Sequence, residues 1–162
     1  MKIIKESLSS KFQMKDLGQL HFCLGIKAEF KDTSVKLHQK HYIQQILEKY
    51  DMSDCKSVAT PFATDIQLVK DDGSKSVDHT LYQSIVGCLL YTSTATRLDI
   101  AHSVGVLSKF NSMPTKTHLT AAKRVLRYLK GTMDYGITFN KTDTQPVGYL
   151  DANWAENDES RH

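Results

Sequence analysis

The sequence predicts an α+β fold that is mainly helical, with a β-hairpin near its start and a pair of strands near its end. Three observations support this prediction. Apolar and polar residues alternate between residues 20 and 38, which is the period of a half-buried strand. Between residues 40 and 131, several segments place apolar residues every three or four positions, the period of an amphipathic helix. The stretches "GITFN" and "PVGYLDANWA" then read as strands joined by a polar turn.

The first forty residues predict one helix and one hairpin. Residues 2–14 should form an amphipathic helix with Gly18 as its stop, and its apolar positions are Ile3, Ile4, Leu8 and Phe12. One long strand should run from Leu20 to Phe30, where every second residue is apolar. "KDTS" then supplies a turn, and the return strand continues the alternation to residue 38.

Helices are expected through the central part of the chain. The first should bury Ile43, Ile46, Leu47 and Tyr50. The second, residues 79–94, is apolar on most sides and should lie at the centre. The third can open at Thr96 with Asp99 reaching back as in a capping box, and its buried stripe is Ile100, Val104 and Leu107. The last should start near Pro114 and end at Gly131.

Composition narrows the class of protein. The 162 residues suit about one domain, and 40% of them are hydrophobic. No apolar run approaches the ~18 residues of a membrane span, and the N-terminus is too charged for a secretory signal. We therefore expect a soluble cytoplasmic or nuclear protein without a membrane partner. The net charge of +3 permits a nucleic-acid partner but does not require one.

Cysteine and histidine residues give no pattern of a metal site. Cys23, Cys55 and Cys88 are far apart and odd in number, which favours reduced thiols in an intracellular protein. His38 and His41 are three residues apart, but they bracket a strand-to-helix junction and lack a third ligand. They are interpreted as surface histidines, and zinc is not expected.

Cations are concentrated on the last predicted helix. Between Asp99 and Asp134 the sequence has no acidic residue. Four cations of this stretch fall within about 60° of one another on a helical wheel, next to an apolar face. They are Lys116, Lys123, Arg127 and Lys130. Such a row indicates either a track for a polyanion or an ordinary solvated basic face, and the spacing leaves both readings open.

Asp71, Asp72 and Asp151 are the acidic residues considered as metal ligands. Asp71 and Asp72 could hold a metal ion, but they precede Gly73 in a stretch without strands, so "KDDGS" is interpreted as a turn. That turn lies in the polar stretch 66–78, which we expect to be a mobile loop. Asp151 lies within the apolar final strand, where a carboxylate is costly unless it is paired or bound to a metal. An edge strand with this carboxylate in water is the alternative.

Three stretches of the chain resemble the reverse transcriptase of copia-type LTR retrotransposons. The first begins "FQMKDLGQLHFCLGIKAEF" and continues through "VKLHQKHYIQQILEKYDM", the second begins "YQSIVGCLLYTSTATRLDIAHS" and ends "RVLRYLKGTMDYGI", and the third is "GYLDANWAEN". They occur in the order and with the spacing of that family's Pol polyprotein and cover nearly the whole chain. The resemblance implies the C-terminal part of a reverse transcriptase running into the start of an RNase H domain.

The resemblance implies a role for each segment. Residues 1–40 would be the end of the polymerase palm with a primer-grip-like hairpin, residues 41–135 thumb and connection helices, and residues 136–162 the truncated first strands of an incomplete RNase H fold. The residues implied to contact an RNA–DNA hybrid or DNA duplex backbone are Phe22, Leu24 and Gly25 of the hairpin and Lys116, Lys123, Arg127 and Lys130 of the thumb. Asp151 would be the first RNase H aspartate, which helps to hold magnesium in a complete domain.

Departures from the family limit the expected chemistry. The sequence has no Y-x-D-D, and Asp151 alone cannot assemble a two-metal site. Leu98 stands where the family usually has proline, and Asn153 where it often has aspartate. We expect the chain by itself to need no cofactor, to lack polymerase and RNase H activity, and at most to bind a duplex. The alternatives are a co-opted non-enzymatic module that binds nucleic acid or a polymerase, and a non-functional relic whose hairpin has lost its sheet neighbours.

Overall fold

The computed structural model describes residues 2–15, 18–63, 67–142 and 147–148, and these form an α+β fold that is mainly helical, as predicted. The α-helices of this part are α1 (Lys2–Lys11), α2 (Lys40–Lys49), α3 (His79–Ala95), α4 (Ala101–Ser108) and α5 (Lys116–Gly131), with a 3-10 helix at Leu98–Ile100. The strands are β1 (Phe22–Cys23), β2 (Ile26–Lys31), β3 (Ser34–His38) and β4 (Gly136–Asn140), which form one antiparallel sheet in that order.

The predicted long strand from Leu20 to Phe30 is wrong, because a tight turn divides it. Leu24 and Gly25 connect β1 to β2, and both have positive φ, 50° and 76°. Positive φ at both central residues is the geometry of the two-residue hairpin turn that matches the twist of its strands. Phe22 pairs with Lys27 across this turn, so it lies on the opposite face of the sheet from Ala28.

The hairpin also pairs with one further strand, and the sequence did not indicate this pairing. β4 pairs with β3 from Ser34↔Asn140 to His38↔Gly136, so the expectation that the hairpin has lost its sheet neighbours is wrong. Gly136 allows this pairing, because a Cβ there would collide with the carbonyl oxygen of Leu37. The first member of the predicted C-terminal strand pair is thus confirmed as a strand. Most of the second member lies outside the described residues.

Helices α2 to α5 enclose the core. α3 lies at its centre as predicted and packs against both α4 and α5. The predicted buried faces are confirmed at Ile43, Ile46 and Leu47 of α2 and at Ile100, Val104 and Leu107, all of which are at most 3% exposed. Tyr50, also predicted to be buried, is only partly buried. The core therefore fixes the direction in which each helix presents its polar side.

α1 has an apolar face that the described residues do not cover. It ends at Lys11, so Gly18 does not terminate it as predicted. Ile3, Ile4 and Phe12 are each more than 60% exposed. Within the described ranges, no helix combines the length and the apolar character needed to cross a bilayer.

The connection from α3 to α4 differs from the prediction. Thr96 ends α3 rather than opening the next helix, and its hydroxyl donates to Oε1 of Gln39 at 2.9 Å. Asp99 lies in the 3-10 turn and binds Arg97 instead of reaching back as a cap. Thr96 thus finds its partner on a distant part of the chain, whereas Asp99 pairs with Arg97, only two residues away.

The stretch predicted to be a mobile loop is instead held against the start of α5. The N–H of Val77 donates to the carbonyl of Pro114 at 3.1 Å. Nε2 of the buried His118 ring lies 3.0 Å from the carbonyl oxygen of Val69. Residues 67–78 are thus fixed at both ends of the stretch that the structure describes.

Candidate nucleic-acid interface

The tip of the hairpin and the start of α2 form a groove of about 480 Å³. Two predicted hairpin residues, Phe22 and Gly25, line it. Phe22 is 53% exposed, and its ring meets the ring of His41 edge-on at 6.2 Å between centroids. Lys27 and Lys40 add cations to the same groove. An exposed aromatic ring beside cations is an arrangement that can accept the end of a nucleic-acid strand.

The third predicted hairpin residue, Leu24, lies at the tip and is 81% exposed. The hydroxyl of Tyr91 donates to the carbonyl of Leu24, which anchors the tip to α3. Tyr91 in turn meets the ring of Tyr42 edge-on at 5.1 Å, and Gly25 lies against Tyr42. Burial, with the nearby Cys88 thiol, raises the pKa of Tyr42 above its usual value, so its phenol stays neutral. The exposed tip is therefore positioned by a fixed aromatic support.

Carboxylates partly neutralise the groove. Lys27 binds Glu29 at 2.9 Å, and His38 lies 3.2 Å from the same carboxylate. The hydrogen bond from Lys27, followed by that from His38, lowers the pKa of Glu29 to about 2. Lys40 binds Asp134 at 2.7 Å, and this contact lowers the pKa of Asp134 as well. Both lysines are held in place, and exposed ion pairs of this kind are weak enough to exchange for a phosphate.

The two histidines that the sequence assigned to the surface behave differently. His41 is exposed on α2 as predicted. His38 is only 7% exposed at the end of β3, so its assignment to the surface is wrong. Cross-strand pairing explains this, because His38 lies between Lys27 and Gly136 within the sheet.

The predicted basic row lies on α5, where the structure divides it into two pairs. Lys116 and Lys123 are exposed on the helix surface. Arg127 and Lys130 are half-buried, because they hold the segment that follows α2. Nε of Arg127 donates to the carbonyl of Lys56, and Nζ of Lys130 donates to that of Cys55, both at 2.7 Å. A helical wheel cannot show such carbonyl acceptors, since they come from a distant part of the chain.

Arg124 is a cation of this face that the wheel left out of the row. Its Nη2 donates to the hydroxyl of Thr60 at 2.9 Å. Together with Phe62 it lines a second groove, of about 350 Å³, between α5 and the segment before residue 64. The only indication in the sequence was the position of Arg124 inside the stretch that lacks acidic residues.

The acidic candidates have separate outcomes. Asp71 and Asp72 form the predicted turn, since their carboxylates accept the N–H groups of Gly73 and Ser74 at 3.3 and 2.9 Å. Asp151 lies outside the described residues. In the ranges that the structure does describe, no three His, Cys, Asp or Glu side chains come together as ligands for a metal ion. Cys23, Cys55 and Cys88 are free thiols.

Comparison with known proteins shows what the chain is similar to. Residues 1–64 match the family model for reverse transcriptase (RNA-dependent DNA polymerase). Over 93% of its length the chain is 43% identical to the Retrovirus-related Pol polyprotein from transposon RE1 of Arabidopsis thaliana. Over 98% of its length it is 40% identical to the corresponding polyprotein from transposon TNT 1-94 of Nicotiana tabacum. An uncharacterized mitochondrial protein of A. thaliana is 38% identical over 91% of the chain.

The chain is thus similar to reverse transcriptases, and more particularly to the Pol polyproteins of copia-type retrotransposons, which confirms the resemblance seen in the sequence. It spans only 10% of the RE1 polyprotein and 12% of the TNT 1-94 polyprotein. It covers 61% of the mitochondrial protein. No solved structure matches the chain.

Proposed function

We propose that the chain is the part of a retrotransposon reverse transcriptase that grips an RNA–DNA hybrid or DNA duplex by its sugar–phosphate backbone. The observation that carries this proposal is the polarity of α5. This helix buries Ala122, Val125 and Leu126 completely and exposes Lys116 and Lys123. Lysine contacts to phosphates supply affinity without reading the base sequence, as a polymerase that copies any template requires.

Arg127 and Lys130 fit the same role although they hold the chain's own carbonyls. A guanidinium has five N–H donors and an ammonium has three, so one bond to a carbonyl leaves others for a phosphate. The contacts with Lys56 and Cys55 would also position the two cations before a duplex arrives. Such positioning lowers the conformational entropy that binding must remove.

The hairpin is the proposed contact for the end of the primer strand. Phe22 and Gly25 line the groove beside Lys27 and Lys40, and Leu24 lies between the first two in the chain, exposed at the hairpin tip. In this proposal, residues 1–40 correspond to the end of a palm, residues 41–135 to thumb and connection helices, and residues 136–162 to the start of an RNase H domain.

Asp151 would be the first magnesium-binding aspartate of that RNase H domain. The 162-residue chain contains no Y-x-D-D, and a two-metal site needs several converging carboxylates. We therefore propose that this chain on its own binds the duplex and performs neither polymerisation nor RNA cleavage.

The test is fluorescence anisotropy of the chain with a labelled RNA–DNA duplex over a range of salt concentrations. Lys116→Ala/Lys123→Ala should weaken binding by about tenfold or more and reduce the slope of log affinity against log salt by about two, one per phosphate contact. Lys109→Ala is the matched control, because Lys109 is an exposed cation outside the row. An equal loss in the control variant would show that α5 carries only a solvated basic face.

A non-enzymatic module is the second candidate. The similarity to the mitochondrial protein favours it, because the chain covers 61% of that protein but about a tenth of the Pol polyproteins. A segment of this kind thus also occurs in a much shorter protein. Duplex binding by the purified chain would suit both candidates, whereas stimulation of a polymerase added in trans would favour the module.

A further inference from the structure

The groove between α5 and the segment before residue 64 has one apolar wall. Phe62, Ala63 and Ala121 form this wall, and all three are partly exposed. Its volume of about 350 Å³ lies at the small end of the ~300–1,000 Å³ that ligand pockets span. Phe62 provides a flat π-face, on which any nucleic-acid base can stack.

Cations line the other side of the groove. Lys116, Arg124 and Arg127 contribute to it, and the contacts with Thr60 and Lys56 hold the two guanidinium groups in place. Nη2 of Arg124 donates to Thr60, and a guanidinium has five N–H donors, so Arg124 can also donate to a ligand in the groove. Phosphate oxygens are the acceptors that guanidinium groups bind most strongly.

Asp72 is an acidic residue that contacts the lining of this groove. Its Oδ1 accepts from the N–H and the hydroxyl of Ser74, which lines the groove, and its Oδ2 lies 3.2 Å from the hydroxyl of Thr115. These hydrogen bonds, that from the Ser74 side chain first, lower the pKa of Asp72. The carboxylate is therefore charged but already engaged, and the cations of the groove outnumber it.

We propose that this groove binds one unpaired nucleotide of a nucleic-acid strand, with the base on Phe62 and the phosphate at Arg124 and Lys116. A duplex presents phosphates on its outside but keeps its bases stacked inside, so it could satisfy the cations and leave Phe62 unused. An unpaired nucleotide can stack its base on Phe62 and place its phosphate beside the cations. This site would add a single-stranded extension to the duplex that the proposed backbone grip holds. It rests on the proposed function only in the assumption that the strand extends from a bound duplex.

The test compares three labelled probes by fluorescence anisotropy: a blunt RNA–DNA duplex, the same duplex with a short single-stranded extension, and the extension strand alone. The extension should tighten binding by about fivefold or more, the contribution of one stacked base. Phe62→Ala should remove this gain and leave the affinity for the blunt duplex unchanged. Phe139→Ala is the matched control and should keep the gain. Phe139 is an aromatic residue on β4 that is 56% exposed.

A second variant covers the case in which Phe62→Ala disturbs the fold. Thr120 also lines the groove and is exposed, and its hydroxyl donates to the carbonyl of Lys116 in its own helix at 2.9 Å. Glutamate is a good helix former, so Thr120→Glu should fold normally while it places a carboxylate where the phosphate would lie. It too should remove the gain from the extension.

The possible outcomes separate the nucleotide site from the duplex grip. If the extension gives no gain, or if Thr120→Glu and Phe62→Ala leave the gain intact, the groove does not bind a nucleotide. If the blunt duplex fails to bind but the single strand binds and Thr120→Glu weakens it, the nucleotide site stands and the duplex grip is wrong. If none of the three probes binds, both proposals are wrong.

Discussion

The guanidinium of Arg97, a residue only 1% exposed, is held by Asp99 at two points, with Nε 3.0 Å from Oδ1 and Nη2 2.7 Å from Oδ2. Nη1 of Arg97 also donates to the carbonyl of Thr132 at 2.9 Å, and the guanidinium lies 5.4 Å from the ring centroid of Tyr135. The hydroxyl of Tyr128 donates to Asp99 at 2.8 Å. This cluster joins the α3–α4 connection to the end of α5 and to the residues that lead into β4.

Removal of the Asp99 charge should destabilise the protein strongly. Asp99→Asn leaves the Arg97 charge buried without its counter-ion, a change that typically costs about 3–5 kcal/mol. The Asp99 side chain is itself 36% exposed, so we expect the low end of that range. Urea unfolding measures the effect as a lower midpoint at constant slope.

Asp134→Asn is the matched control for this prediction. It breaks the ion pair between Asp134 and Lys40, whose side chains are 77% and 44% exposed, respectively. Exposed pairs contribute about 0–1 kcal/mol, so the midpoint should hardly move. If both variants lost the same stability, the Arg97–Asp99 pair would not be the strong contact that its burial indicates.

The same carboxylate should make stability depend on pH. Burial by itself would raise the pKa of Asp99, but the hydrogen bonds from Arg97 and Tyr128 outweigh it and hold this pKa below the usual value. A group with a lower pKa in the folded state stabilises it fully above the unfolded value, near 4, and less as the pH falls toward the folded value. Urea midpoints of the wild type should therefore fall more steeply than those of Asp99→Asn between about pH 5 and pH 3. Parallel pH profiles would contradict this linkage.

His118 should be essential for the order of the 67–78 stretch. It is fully buried, and its Nδ1 accepts the N–H of Thr115 at 3.0 Å, so Nε2 carries the proton that it donates to Val69. The ring also stacks on Phe110 at 4.0 Å between centroids. His118→Ala leaves a cavity and two unpaired backbone groups, and should lower the free energy of unfolding by about 2–4 kcal/mol.

Hydrogen exchange gives the sharper readout for His118. Amide protection between Val69 and Val77 should drop in His118→Ala by more than the loss of global stability explains, because the side-chain anchor of this stretch is gone. His102→Ala is the control, since His102 is exposed and its replacement should change stability by at most about 0.5 kcal/mol. Unchanged relative protection in His118→Ala would mean that the remaining backbone contacts suffice.

Periodicity predicted the parts of the fold that depend on local sequence. The helical spacing of Ile43, Ile46 and Leu47 placed the buried face of α2 correctly, and Gly131 marked the end of α5. These elements follow from residues three or four positions apart, which the sequence shows directly. The basic side of α5 follows from the same spacing.

The errors come from contacts that local spacing does not contain. A two-residue turn at Leu24 and Gly25 interrupts the strand without interrupting the alternation, and leucine is rarely found at positive φ. The pairing of β4 with β3 joins residues far apart in the chain, and no local pattern specifies it. Arg127 is half-buried because a distant carbonyl, that of Lys56, lies beside it.

Leu24 connects the strain in the hairpin with the proposed interface. A non-glycine residue in the left-handed region costs about 1–2 kcal/mol, and asparagine tolerates that region far better than leucine. Leu24→Asn should therefore stabilise the protein by about 0.5–1 kcal/mol, measured by urea unfolding. Strained residues persist chiefly where function needs them, so the same variant should bind a primer–template duplex more weakly in the anisotropy assay. Leu98→Asn, at another leucine that is 63% exposed, should leave binding unchanged. A Leu24→Asn variant with higher stability and full affinity would remove the hairpin tip from the interface.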